Sequence, residues 1–188
     1  MRLGRSARGV TLLELMIGLT ILGILLMLGM PSYTTWIQNT KIRAAAESLQ
    51  AGLQLARAEA ARRNTQVELV LIDTAWAPND PGAIVPSTTG RNWVVRVFQP
   101  NPADYTAADF IEGKNGAEGG SAGVTVDADQ SSLRFSGTGR PTPPLAATAA
   151  IRVRHPHEGS RALDVTVSRG GVVRMCDPLL AAPNPQAC

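Results

Sequence analysis

With 188 residues, 44% of them hydrophobic and 18% charged, the chain is too apolar to be disordered and has room for one membrane segment and one soluble domain. Its 18 Gly, 13 Pro and 4% aromatics favour a small sheet-rich, turn-rich domain over a large packed enzyme core. The formal charge of +3 is carried by Arg2, Arg5 and Arg8 in the first nine residues, and the remainder is formally neutral, so overall basicity is no argument for a nucleic-acid binder.

Residues 1–9 read as a basic leader. Val10 to Met30 follows, 21 residues charged only at Glu14. As a helix it is ~30 Å long, one hydrocarbon thickness. The arginines before it orient the N-terminus to the cytoplasm. A cleaved secretory signal would have a shorter apolar run followed by small residues, whereas Met30, Pro31, Ser32 and Tyr33 follow here. A lone glutamate near the end of such a segment costs ~1–3 kcal/mol if unpaired. It either snorkels to the headgroups or meets a cation.

Pro31 removes one helical hydrogen bond and is expected to bend the helix without ending it. Over 31–63 the helical period resumes: Ile42, Ala45, Ala46, Leu49, Leu53, Ala56 and Ala60 recur at spacings of three and four. That stripe is alanine-rich and can lie close against a sheet. Asn64 is the expected stop.

From there the period is two. Strands are expected at 67–73, 92–99, 123–127, 132–137, 150–155, 162–168 and 172–176. Ile151 and Val153 alternate with Arg152 and Arg154; Leu163, Val165 and Val167 alternate with Asp164, Thr166 and Ser168, which gives one buried and one wet face. Residues 169–171, Arg-Gly-Gly, form a turn signal between the last two strands. The stretches 74–91 and 100–122 read as loops. The fold class is α+β, a long bent helix packed on an antiparallel β-sheet domain spanning 64–188. Charge is split: +2 over 10–63, −6 over 64–133 and +4 over 134–188.

Cys176 and Cys188, the only cysteines, lie at the C-terminus with eleven residues between them. An exported chain can close them as a disulfide; a cytosolic one would keep two thiols. His155 and His157 flank Pro156 with too few further ligands for a metal, and no metal or cofactor is expected. No nucleophile–base set, phosphate loop or carboxylate pair is evident, so an anchored periplasmic enzyme, the alternative class, lacks its constellation. Trp36, Trp76 and Trp93 read as core or interface aromatics, and Trp36 suits a membrane interface.

Gly9 followed by VTLLELMIGLTILGILLMLGMPSY resembles the N-terminal signal of type IV pilins and type II secretion pseudopilins. The basic leader, the Gly before the cut, the Glu fifth after it and the Pro twenty-second after it all match; Val10 stands where the family usually has Phe. The resemblance implies cleavage between Gly9 and Val10 by the prepilin peptidase, which also N-methylates. A charged Val10 amine then lies within reach of Glu14, its own or a neighbour's, and pairing with a neighbour would fix the axial register of packed helices. LQAGLQLARAEAARRNTQVELV (49–70), LRFSGTGRP (133–141) and LDVTVSRGGVVRMC (163–176) resemble elements of the FimT/GspH family of minor pilins and pseudopilins.

This resemblance implies a structural subunit. It is anchored in the inner membrane with its domain in the periplasm, then built with other pilin subunits into a surface filament. A C-terminal Cys pair is usual in type IV pilins and uncommon in the secretion pseudopilin, which favours a minor type IV pilin over a GspH-type pseudopilin. Some FimT-type pilins bind DNA through a Gly-Arg-x-Arg stretch, which here reads Gly171-Val172-Val173-Arg174. Arg169 and Arg174, supported by Arg152 and Arg154, are the candidate phosphate contacts. The alternative is a solvated face partly neutralised by Asp164 and Asp177.

Overall fold

The computed structural model describes residues 9–74, 76, 84–116, 123–156 and 159–188, and within α1 the side chains of 28–32 are not among those described. One helix, α1 (Leu12–Arg63), runs unbroken through Pro31 and ends at Asn64, whose left-handed backbone (φ 49°) lets its N–H reach the carbonyls of Ala60 and Ala61. The expected stripe is the contact face. Ile42, Ala46, Leu49, Leu53, Ala56 and Ala60 are buried, and Ala45 packs beside them.

Eight strands follow among the described residues: β1 (Val67–Ile72), β2 (Asn92–Val97), β3 (Phe110–Lys114), β4 (Thr125–Ala128), β5 (Ser132–Phe135), β6 (Ala149–Arg154), β7 (Leu163–Val167) and β8 (Val173–Cys176). They form two four-stranded antiparallel sheets, ordered β3-β2-β1-β5 and β4-β6-β7-β8. Both contribute inward residues to one core with the helix: Leu69, Val95 and Phe135 from the first sheet, Ile151, Val165 and Val167 from the second.

Two sequence expectations are corrected. Strand β3 lies within a stretch expected to be loop. Its sequence, FIEGK, lacks alternation, and its Gly113 is imposed by packing: a Cβ there would lie 2.4 Å from the Trp76 ring. Strand β1 shows no wet face, because Val70 and Ile72 pack with Val94 beneath Trp76, Ile84 and Phe110. A covering loop, which periodicity cannot foresee, buries the second face.

Candidate functional site

Gly9 and Val10 precede Thr11, the N-cap of α1, whose hydroxyl accepts the Glu14 N–H at 3.2 Å. Glu14 thus occupies the first helical turn, where a carboxylate faces the positive end of the helix dipole. Around it the helix is apolar on every side. Leu12 is 79% exposed, and Leu13, Ile17, Ile21, Ile24 and Met27 are uncovered as well. A helix apolar all round needs lipid or other helices about it. Among the described residues no helix is long and apolar enough to cross a membrane. The described apolar run, Leu12–Met27, measures ~24 Å, and the sequence carries it on through Leu28, Gly29 and Met30. Beyond the run, Tyr33 and Trp36 are both exposed and stack at 6.1 Å. Trp93, by contrast, is buried and donates its indole N–H to Ser48 Oγ at 3.0 Å.

The four arginines expected at a DNA surface do not form one free cationic face. Arg152 bonds Asp129 at 2.8 Å and Asp127 at 3.4 Å, and Arg154 bonds Asp164 at 2.7 Å. The register explains this: Arg152 stands between Asp127 on β4 and Asp164 on β7. Burial alone would raise the Asp129 pKa, but the Ala150 N–H and the Arg152 guanidinium hold it below its ordinary value. Arg169 reaches the Ala146 carbonyl, and Arg174 is exposed on β8. Among the described residues neither has a carboxylate partner.

Cys176 and Cys188 are joined, with an S–S distance of 2.16 Å and Cα atoms 5.1 Å apart. The tail they close is also held by Asp177, only 4% exposed. Its N–H donates to the Gln186 carbonyl at 2.7 Å, and its carboxylate accepts from Arg161 at 3.0 Å and from the Leu179 N–H at 2.9 Å. Asp177, read from sequence only as a neutralising charge, is therefore an anchor. The tail, with Arg161 and the helix residues Trp36, Asn39 and Arg43, borders a cleft of about 420 Å³.

A second polar cluster escaped the sequence reading. Glu68 on β1 bonds Arg96 of β2 at 2.8 Å and the Tyr105 hydroxyl at 2.7 Å, with Arg134 of β5 at 3.9 Å. The signal was present: one acid on a central strand stands opposite an arginine on each neighbour. Burial raises the Tyr105 pKa. His155 is described and His157 is not; no group of three potential metal ligands exists among the described residues.

The family model described as type II transport protein GspH matches residues 45–171, and the prokaryotic N-terminal methylation motif matches residues 4–30. No curated protein matches the chain. Among solved structures, the type IV minor pilin FimU of Pseudomonas aeruginosa is similar in fold. One crystal form gives a TM-score of 0.56 at 17% identity, covering 81% of this chain and 98% of that one. A second gives 0.52 at 18% identity, covering 78% and 98%.

Proposed function

Because the chain belongs to the GspH family of pilin-like proteins, we propose that it is a minor type IV pilin, a structural subunit of a surface filament and not an enzyme. The coarser role, minor pilin or pseudopilin, comes with the family. The observation that carries the finer one is the tail closed by Cys176 and Cys188.

In this reading Val10 to Met30 anchors the chain in the inner membrane, its N-terminus cytoplasmic and its sheets periplasmic. The prepilin peptidase cuts between Gly9 and Val10 and methylates the new amine. Extraction then trades lipid for the apolar helices of other pilin subunits. Glu14 pairs with a Val10 amine in that low-dielectric core and sets the axial register; Pro31 marks the end of the packed half. DNA is not carried as a second reading, because aspartates hold two of the four arginines it would need.

Deleting the gene tests the choice. Loss of surface filaments with type II secretion intact is the expected result. Intact filaments with secretion lost would make the chain a pseudopilin.

A further inference from the structure

The arginines of this chain divide into two groups. Arg43, Arg62, Arg63, Arg96, Arg134, Arg152, Arg154 and Arg161 each lie beside a carboxylate. Arg57, Arg91, Arg140, Arg169 and Arg174 do not, among the described residues, and three of them, Arg57, Arg140 and Arg169, converge on one place.

That place is a pair of tight turns. The first, Ser136–Arg140, is closed by the Gly139 N–H on the Ser136 carbonyl at 2.8 Å. The second, in the β7–β8 connection, is closed by the Gly171 N–H on the Ser168 carbonyl at 2.8 Å. Gly139 (φ 73°) and Gly171 (φ 82°) are both left-handed. The turns meet so closely that a Cβ on Gly171 would lie 2.2 Å from the Gly139 oxygen and 3.5 Å from the Arg140 Cα. Arg57 of α1 donates its Nε–H to that same Gly139 oxygen at 3.1 Å, leaving its terminal nitrogens over. Arg169 is tied to the Ala146 carbonyl, and Arg140 is exposed.

The turn pair sits at the end of the molecule opposite the apolar helix. The chain from Arg161, whose N–H bonds Asn39, through β7 to Ser168 runs alongside α1 and ends beside the turn under Arg57. Exposed Val172 and Arg174 adjoin it.

We propose that this turn pair, through Arg57, Arg140 and Arg169, docks on surface carboxylates of an adjacent pilin-type subunit in the filament. The inference rests on the reading of the chain as a filament subunit. Helices packed side by side along a filament bring this end of one subunit against the body of its neighbour. Two cations on stiff turns and a third on the helix beside them suit a small carboxylate cluster, and an exposed valine next to them suits a protein surface. A nucleic-acid duplex fits less well. It would extend over the neighbouring sheet face, where Asp127, with 66% of its side chain exposed, and Asp129 meet phosphate with like charge.

The test uses the full chain in its own host. Arg57, Arg140 and Arg169 are replaced together by glutamine in one variant and by lysine in another, with Arg91→Gln as a control on a different surface. The expected result is that the glutamine variant enters the membrane and forms its disulfide, while its copies in sheared filaments fall by about tenfold or more. The lysine variant and the Arg91→Gln control should enter filaments. In the lysine variant, zero-length carbodiimide coupling should join residue 140 or 169 to an Asp or Glu of another pilin-type subunit, identified by peptide mass spectrometry.

Glutamine-variant copies at the wild-type level overturn the proposal and leave the pilin reading standing. So does a filament-borne lysine variant without such a cross-link, which decides the matter if the glutamine variant misfolds. Wild-type protein absent from filaments overturns both. Titration of the detergent-solubilised chain with duplex DNA closes the remaining route: salt-dependent binding that the glutamine variant loses would assign the surface to nucleic acid and overturn the proposal.

Discussion

Glu68 faces two guanidiniums and a phenol where water barely reaches. It is 3% exposed and Arg96 7%. Removing the carboxylate strands a buried cation, so Glu68→Ala should lower the unfolding free energy by ~3–5 kcal/mol in urea titrations. A variant as stable as wild type would show that Arg96 finds water instead. Asp109 is a second such point. Burial pushes its pKa up, but the Thr106 N–H and hydroxyl and the Gln99 amide outweigh this and hold it below its ordinary value. In the unfolded chain this carboxyl takes its proton first as pH falls. The stability it contributes is therefore complete above the ordinary carboxylate range, about pH 4, and drains as pH drops through the lower folded value. Asp109→Asn should flatten that part of an acid-unfolding curve; an unchanged curve would place the acid sensitivity elsewhere. Glu14 acts differently, because its setting in this chain is local: the first turn and the Thr11 cap. Glu14→Ala leaves the apolar run whole, so membrane insertion should persist while copies in sheared filaments drop. Wild-type copies would exclude the register role.

At the scale of elements, what one face of one segment decides was legible in the sequence. The α1 stripe from Ile42 to Ala60 and the stop at Asn64 follow from spacing and one residue type, and both stand in the structure. So does the alternating β6, which faces the core with Ile151 and Val153; β7 does so with Val165 and Val167, but its Asp164, expected on the wet face, is buried beside Arg154. What depended on a second segment was not legible. Strand β3 forms by pairing with β2 and receives Trp76 over Gly113, and neither is encoded within FIEGK itself. Asp164, which holds Arg154, was legible as a neutralising charge, but Asp127 and Asp129, which hold Arg152, are remote in sequence and reach it only through strand register. The stripe supplies a direct test. Leu53 is fully buried against the sheets, so Leu53→Ala should cost ~2–5 kcal/mol, depending on how far its neighbours close the gap. A loss below ~1 kcal/mol would mean that the helix sits loosely on its sheets.

The whole molecule is two parts with opposite needs. The half of α1 beyond Ile42 carries two sheets and a disulfide-closed tail and buries its apolar side chains; the half from Leu12 to Met27 leaves them all uncovered. Such a chain is complete only in company, first lipid and then the helices of other subunits. The leader conflicts with the second setting. Arg2, Arg5 and Arg8 ahead of Val10 would bring three cations into an apolar helix bundle, where charges without partners are costly. Removing them leaves a mature chain of formally zero net charge and one new amine four residues from Glu14. Methylation keeps that amine basic, so it still offers the glutamate a cation. Intact-mass measurement of the membrane-extracted protein should therefore show loss of residues 1–9 and gain of one methyl group. N-terminal sequencing should begin at Val10. A retained leader, or a cut after the apolar run, would leave Glu14 without its amine and remove the physical basis for filament assembly by this helix.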